Sequence, residues 1–421
     1  MYNGPKLIGL REVEMRKGLF GLLVLVGSLV VTAVFAHAAE EEKPLAPGWL
    51  SLDGSVGLID NAIADSKSSF EKALGINISG FLDTSYTWSS NHPKSPRNIS
   101  GRYFDKDYNK LVFNYFHVAV EKPEKDWGVG FRVSGDFGRG GELLREATLW
   151  GKRLHDEPSA ELREAFLTTT IPVGEGIGVK GGLFVTTLGT EILPNPGAYN
   201  DNISRSFLFN FAIPLRHLGM LFSYPLFQVL SLNAGVVTGW DNPRDNNGQP
   251  SAMWGFGFTP IDEFALTSSF IYGPEQFHNS GNKRFTWSNV ATIKPFDPLT
   301  LLLEYTYGHE ENASLGGTRD AMWHGVAGIA SYAWTDRFTT ALRGEVFEDR
   351  DGARLGGNFF GTHANQTVAE VTLTGAYKFT KMFLGRVEFR QDWADERFYK
   401  RGATNADKNQ TTFAGQLIYT Y

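Results

Sequence analysis

Between residues 383 and 392 the side chains alternate, with Phe383, Gly385, Val387 and Phe389 on one phase and Arg386, Glu388, Arg390 and Asp392 on the other. Successive side chains of a β-strand point to opposite faces, so the pattern predicts a strand with one oily and one charged face. Arg132, Ser134 and Asp136 opposite Val129, Phe131 and Val133 repeat it. So do Glu370, Thr372, Thr374 and Lys378 opposite Val371, Leu373, Tyr377 and Phe379, and Arg343 and Glu345 opposite Leu342 and Val346. Lipid or a packed core would reject the charged face, whereas a wet lumen would accept it. In the runs 111–121 and 322–334 both phases are apolar, and no facing follows.

From residue 76 to the last residue, strand-like runs of about ten residues recur in pairs. Short connections at 122–126, 172–176, 225–228, 260–263, 294–298, 335–337 and 380–381 alternate with much longer ones. That rhythm predicts an all-β fold, a transmembrane antiparallel up-and-down β-barrel with brief turns on one side and free loops on the other. About sixteen runs can be counted, with about fourteen or eighteen as the alternatives. Tyr86, Trp88, Trp127, Tyr224, Tyr272, Tyr305, Tyr307, Trp334, Tyr377, Tyr419 and Tyr421 crowd the run ends. Two aromatic girdles at headgroup level would place them there.

Runs 177–188 and 215–224 flank an irregular passage, 189–214, holding Pro194, Pro196 and Pro214, the cluster Asn200, Asp201 and Asn202, and the run Phe207, Leu208, Phe209 and Phe211. Irregular backbone at membrane depth is tolerable where it lines water or protein. The passage is therefore expected to fold into the barrel and narrow it, with Glu191, Tyr199, Asp201 and Arg205 at the constriction. The charges of Glu191, Asp201 and Arg205 would set a transverse field against Arg132, Lys180, Arg386 and Arg390. An outward loop covering a neighbouring subunit is the alternative. The pore lining is expected to be Arg132, Asp136, Glu164, Lys180, Glu304, Arg343, Glu345, Glu370, Arg386, Glu388 and Arg390. With Asp83, Lys378 and Asp392 added, acids slightly outnumber bases, which predicts weak ion selectivity with a slight cation preference.

Composition narrows the class. The 421 residues include no cysteine, 47 glycines, 14% aromatics and only 20% charged residues, which does not suit an ordinary cytosolic enzyme. Disulfides and thiolate metal sites are excluded, and no half of the chain is basic enough to suggest nucleic acid. Met15, Arg16 and Lys17 precede the apolar run 18–35, and Ala36, His37 and Ala38 supply a cleavage pattern. Residues 1–38 are read as an export signal cut near Ala38, with an inner-membrane anchor as the alternative. Residues 39–75 are read as a periplasmic leader with a short amphipathic helix through Leu58, Ile59, Ala62, Ile63, Phe70 and Leu74, either tethered at the surface or partly plugging the pore. Residues 76–421 would be the barrel. The final alternation of Phe413, Gly415, Leu417, Tyr419 and Tyr421 resembles the signal read by the outer-membrane assembly machinery, with Tyr in place of a terminal Phe.

Rival chemistry finds little support. His309, Glu310 and Glu311 lack the second histidine of a zinc helix, and Asp245, Asn247 and Gly248 fail as a calcium loop. No nucleophile elbow, P-loop or dinucleotide fingerprint occurs, so neither cofactor nor metal is expected. An outer-membrane hydrolase using loop histidines His92, His155, His278 or His363 is the second reading, and a soluble periplasmic propeller or sandwich the third.

Gly80-Phe81-Leu82-Asp83, Arg163-Glu164-Ala165-Phe166, Gly182 to Thr186 with Gly189 and Glu191, Tyr199-Asn200, Ser204 to Phe207, His217-Leu218-Gly219, and Gly239-Trp240-Asp241 with Asn246-Asn247 carry a family resemblance. On them the chain is similar to the putative beta-barrel porin-2 (OmpL-like) family of Gram-negative outer-membrane proteins. The resemblance implies a porin-type barrel in outer-membrane lipid, and no catalytic residue carries over. A passive channel for small hydrophilic solutes is the expected function. The place of 189–214 between the fifth and sixth strands is similar to that of the constricting loop of general porins, whose sixteen-stranded members resemble one another in forming homotrimers.

Overall fold

A computed structural model describes residues 75–94, 98–125, 128–147 and 160–421. The export signal, its cleavage site, the leader helix, Trp127 and His155 lie outside the described residues. The strands are β1 (Asn77–Ser89), β2 (Leu111–Lys122), β3 (Val129–Phe137), β4 (Ala160–Ile171), β5 (Ile177–Val185), β6 (Arg216–Phe227), β7 (Leu230–Val237), β8 (Ser251–Ile261) and β9 (Phe264–Gly273). They continue as β10 (Arg284–Phe296), β11 (Leu299–Glu310), β12 (Ala321–Ala333), β13 (Phe338–Asp349), β14 (Gln366–Lys378) and β15 (Phe383–Ala394). Last come a small hairpin, β16 (Tyr399–Arg401) with β17 (Asn405–Asp407), and β18 (Asn409–Thr420).

β1 to β15 and β18 close into one barrel of sixteen strands, each antiparallel to its neighbours. The seam is made by β1 on β18, and Gly80 and Tyr421 exchange both backbone hydrogen bonds there. Closure leaves no sheet edge, which is what a strand-built protein needs in lipid. Short turns and long loops alternate from one end to the other. Two of the long loops carry structure that strand rhythm did not predict: the helix α1 (Arg139–Ala147) after β3, and the β16–β17 hairpin.

The two phases of each strand meet different surroundings. Leu167, Met220, Val236, Leu303, Val326, Val346, Val387 and Phe413 are exposed on the outward phase. Asp136, Thr306, Arg343, Glu370, Thr372 and Arg390 are buried on the inward one. A sheet that is greasy outside and polar inside is the pattern of a membrane barrel. Trp254, Phe270 and Trp287 stack across neighbouring strands on the outward face. Asn289, also outward, is satisfied locally: Ser268 donates to it at 2.9 Å, and the Trp287 indole donates to Ser268 at 2.9 Å.

The apolar inward phase of β12 has a physical cause. Trp323 is fully buried against the interior and lies over Gly308 of the neighbouring strand, where a Cβ would stand 2.0 Å from the indole. Leu208 packs so close to Gly325 that a Cβ there would meet it at 2.9 Å. An element folded inside the barrel therefore covers this stretch of wall.

Val387 is 68% exposed on the outward phase of β15. Val387→Arg should cost about 2–4 kcal/mol if the site lies near mid-membrane. Urea unfolding in lipid vesicles should show this as a lowered midpoint, and an unchanged midpoint would place that face away from lipid.

Candidate functional site

The covering element is the loop joining β5 to β6, residues 186–215. It enters the barrel and bonds to wall strands on opposite sides of it, so its course is inward and the outward alternative is excluded. At its start Gly189 N–H donates to Ser288 Oγ at 3.1 Å and Thr190 N–H to Glu304 Oε2 at 2.9 Å. Asn195 Oδ1 accepts from Arg132 at 3.0 Å, and the Pro194 carbonyl accepts from Arg163. The Tyr199 hydroxyl bonds Thr420 Oγ1 at 2.6 Å, and its ring meets Phe81 edge to face at 5.4 Å.

An irregular chain inside a barrel has backbone N–H groups with no ladder to join, and leaving them unpaired is costly. Wall carboxylates supply the acceptors. Glu388 takes Ile203 N–H at 2.6 Å and Ser204 N–H at 3.0 Å. Glu345 takes Phe207 N–H and Leu208 N–H, each at 2.6 Å. Glu191, within the loop, takes Ser206 N–H at 2.7 Å. Arginines hold the carbonyls: Arg343 donates to Ser204 O at 2.7 Å, Arg390 to Arg205 O at 2.6 Å, and Arg386 to Asn200 O.

Behind these bonds the charges pair with one another. Arg343 meets Glu191 at 2.8 Å and Glu370 at 2.6 Å, while Arg390 meets Asp392 at 2.6 Å and Arg102 joins the same carboxylate at 2.9 Å. Asp136 is held by Arg163 at 2.6 Å and by His117 at 2.7 Å. Paired charges that also hydrogen-bond tolerate burial, and removing one partner strands the other.

The aromatic run forms an apolar core inside the barrel. Leu208–Ala212 makes a single turn of π-helix, and Phe207, Leu208, Phe209 and Ala212 pack with Leu188, Ile213, Trp240, Trp323, Phe347 and Tyr399. Trp323 Nε1 donates to Ala212 O at 3.3 Å. Arg284 and Arg354 stack on Trp240 at 4.8 and 5.0 Å. Where the loop rejoins the wall, Asp241 accepts Leu215 N–H at 2.8 Å and Arg216 N–H at 3.0 Å.

The expected site residues thus divide. Asp136, Glu164, Glu304, Arg343, Glu345, Glu370, Arg386, Glu388 and Arg390 are all on the inward phase and all nearly sealed from solvent. The wet face expected for them is corrected: Glu304, Arg343, Glu345, Arg386, Glu388 and Arg390 bond to the loop, while Asp136, Glu164 and Glu370 bond to neighbouring wall side chains in place of water. The expected pairing of loop against wall is also redrawn. Glu191 meets Arg343, Asp201 accepts from Ser331, and Arg132 pairs with Glu121 and Glu164, while the Lys180 ammonium lies over the Phe166 ring at 4.8 Å. Sequence reasoning missed Ser288, Trp323, Asp241 and Tyr115 as parts of the site; β2 and β12, which carry Tyr115 and Trp323, gave no facing signal. Solvent reaches the inward phase nearer the short turns, at Ser223, Ser231 and Thr267. Hydroxyls dominate there.

A model of the family described as "Putative beta-barrel porin-2, OmpL-like" matches residues 75–421, the whole barrel. The chain belongs to this family. It is a porin of the bacterial outer membrane. No curated protein matches it. Among solved structures it is similar to the outer membrane channel DcaP of Acinetobacter baumannii, at 14% identity and TM-score 0.54, covering 82% of this chain and 97% of that one. An anion-selective porin from Comamonas acidovorans matches at 10% identity and TM-score 0.54, covering 82% of this chain and 99% of that one. OmpT of Vibrio cholerae in a trimer form matches at 13% and TM-score 0.53, covering 82% and 99%. At such identities these likenesses concern the fold.

Two outcomes test how the porin holds its loop. Glu345→Ala leaves the Phe207 and Leu208 amides without their acceptor, about 1–3 kcal/mol each. The variant should keep the heat-modifiable gel mobility of a closed barrel while its single-channel current becomes larger and noisier. Asp241 lies outside the strands, and burial pushes its pKa from the ordinary 3.8 up to about 6, against the pull of the Arg216 and Leu215 amides and of Arg216 and Arg354. The folded chain binds this proton more tightly than the unfolded one, so the contribution is full below 3.8 and is lost as pH rises through about 6. Asp241→Asn should flatten that part of the pH dependence of the urea midpoint.

Proposed function

We propose that this porin is a passive diffusion channel for small hydrophilic solutes, narrowed by the 186–215 loop, with no catalytic role. The observation that carries the reading is the loop's course through a closed barrel, bonded to walls on both sides by Glu304, Glu345, Glu388 and Arg343. A loop so fixed restricts the bore without needing a moving lid, and exposed hydroxyls of Ser223, Ser231 and Thr267 suit water and neutral polar solutes more than apolar ones. Paired charges would leave bulk ion selectivity weak.

Export by residues 1–38, a periplasmic leader over 39–75, handling by the barrel-assembly machinery and assembly as a homotrimer belong to the same reading. The trimer form of the similar OmpT and the aromatic C-terminal alternation support the last two. Two of the loop histidines lend the hydrolase alternative no support: His92 bonds Tyr108 at 2.6 Å, and His278 packs on Phe277 at 4.0 Å.

Reconstitution in a planar bilayer tests the channel. Stepwise current increments, ohmic in voltage, are expected, and removing residues 196–202 should enlarge them. A barrel that shows heat-modifiable mobility and yet stays electrically silent would overturn the reading.

A further inference from the structure

Inside the barrel almost every carboxylate is already occupied. Asp83 accepts from Asn114 at 3.0 Å and from Gln416 at 2.8 and 2.9 Å, Asp201 from Ser331, and Glu304, Glu345 and Glu388 from loop amides. Arg343, Arg386 and Arg390 are engaged in the same way.

Arg205 is not. The residue is only 7% exposed, and its guanidinium lies over the Phe209 ring at 5.6 Å. Among the described residues that guanidinium has neither a hydrogen bond nor an ion pair, and its nitrogens are not among the sealed, partnerless atoms of the interior. They open onto accessible space. The same holds for the hydroxyl of Tyr115 on β2, a residue 5% exposed. Tyr115 packs on Phe81 at 5.7 Å, Phe81 meets Tyr199 of the loop at 5.4 Å, and Arg205 stands six residues further along that loop with its charge within reach of Tyr115 and Asp83, so the free fork and the free hydroxyl share one stretch of lumen. Gly140 beside the Tyr115 ring has no room for a Cβ, which would fall 2.0 Å from it, so the ring is held in place.

A guanidinium stripped of most of its water and given no anion is costly to keep. Its planar fork matches the two oxygens of a carboxylate or phosphate, and a hydroxyl can add a third bond. Asp83, a carboxylate within its electrostatic reach, is already bonded by the Asn114 and Gln416 amides.

We propose that Arg205 and Tyr115 form an anion subsite in the constriction, taking a small solute that carries a carboxylate or phosphate. The proposal rests on the channel reading and sharpens it: the formal count of inward charges pointed weakly to cations, whereas the donors left unused point to oxyanions.

The probes are acetate and inorganic phosphate, added as potassium salts to the full-length porin. In detergent, titration calorimetry should show saturable binding of at least one of them. In a bilayer at fixed chloride, the same anion should reduce single-channel current in a saturable way, and choline should not. Arg205→Gln should weaken both effects about tenfold or more, Arg205→Lys should weaken them less, and Tyr115→Phe should show a smaller loss with the arginine intact. Heat-modifiable mobility of each variant reports that the barrel has closed. Phosphate binding without acetate binding assigns the site to phosphates, and the reverse to carboxylates. No saturable binding of either, or binding untouched by Arg205→Gln, overturns the subsite. A barrel that binds the anion yet carries no current defeats the channel reading and leaves the subsite standing.

Discussion

An irregular peptide inside a membrane barrel must find partners for its backbone, and the walls of this porin supply them. Strand ladders satisfy β1 to β15 and β18 without help, but residues 186–215 have no ladder. Glu304, Glu345 and Glu388 stand on the inward phases of β11, β13 and β15 and accept loop N–H groups, while Arg343, Arg386 and Arg390 reach loop carbonyls. A carboxylate with two oxygens can hold two consecutive amides, as Glu345 does. That geometry fixes the direction of the chain as well as its position.

The wall therefore has to be charged for reasons that precede any solute. Arg343 and Glu370 are both sealed from solvent, and each would be costly alone. Linked with Glu191 they bind loop to wall in one register, because sliding the loop by a residue would separate Glu191 from Arg343 and leave both uncompensated. The opposite anchor is apolar: Trp323, Phe347 and Phe207 fill the interior toward the long loops, and Gly308 and Gly325 give them room. Polar and apolar anchors on different strands hold a segment more firmly than either alone, since the first specifies register and the second supplies burial.

Much of this was legible beforehand. The alternation in β15 and β14 and the rhythm of short turns and long loops were enough for a closed barrel, and the break between β5 and β6 pointed to an in-folded loop while leaving an outward one open. What could not be read was which partner each inward charge takes. Arg386 and Arg390 have the same residue type and phase, yet one bonds Asn200 and Gln416 while the other bonds Arg205 and Asp392. Those choices depend on where a loop more than 170 residues away in sequence comes to rest. Strands β2 and β12 were opaque for a related reason: inward residues such as Ala119, Trp323 and Ile329 are buried against protein, and period-two patterning fades where both faces are dry.

The same accounting explains why a count of inward charges misjudges the lumen. A carboxylate that already holds two amides has few lone pairs left for a passing cation, and an arginine bonded to a carbonyl and a carboxylate has few donors left for an anion. What a solute meets is the residue of that bookkeeping, set by hydrogen bonds rather than by formal charge. Among the described residues, groups left unspent and open to the lumen include the Arg205 fork, the Tyr115 hydroxyl and the Lys180 ammonium, each able to donate. Recognition in the narrowed bore thus follows from the demands of the loop: acids were needed to hold backbone amides, and the cation that the loop did not need was left facing the lumen.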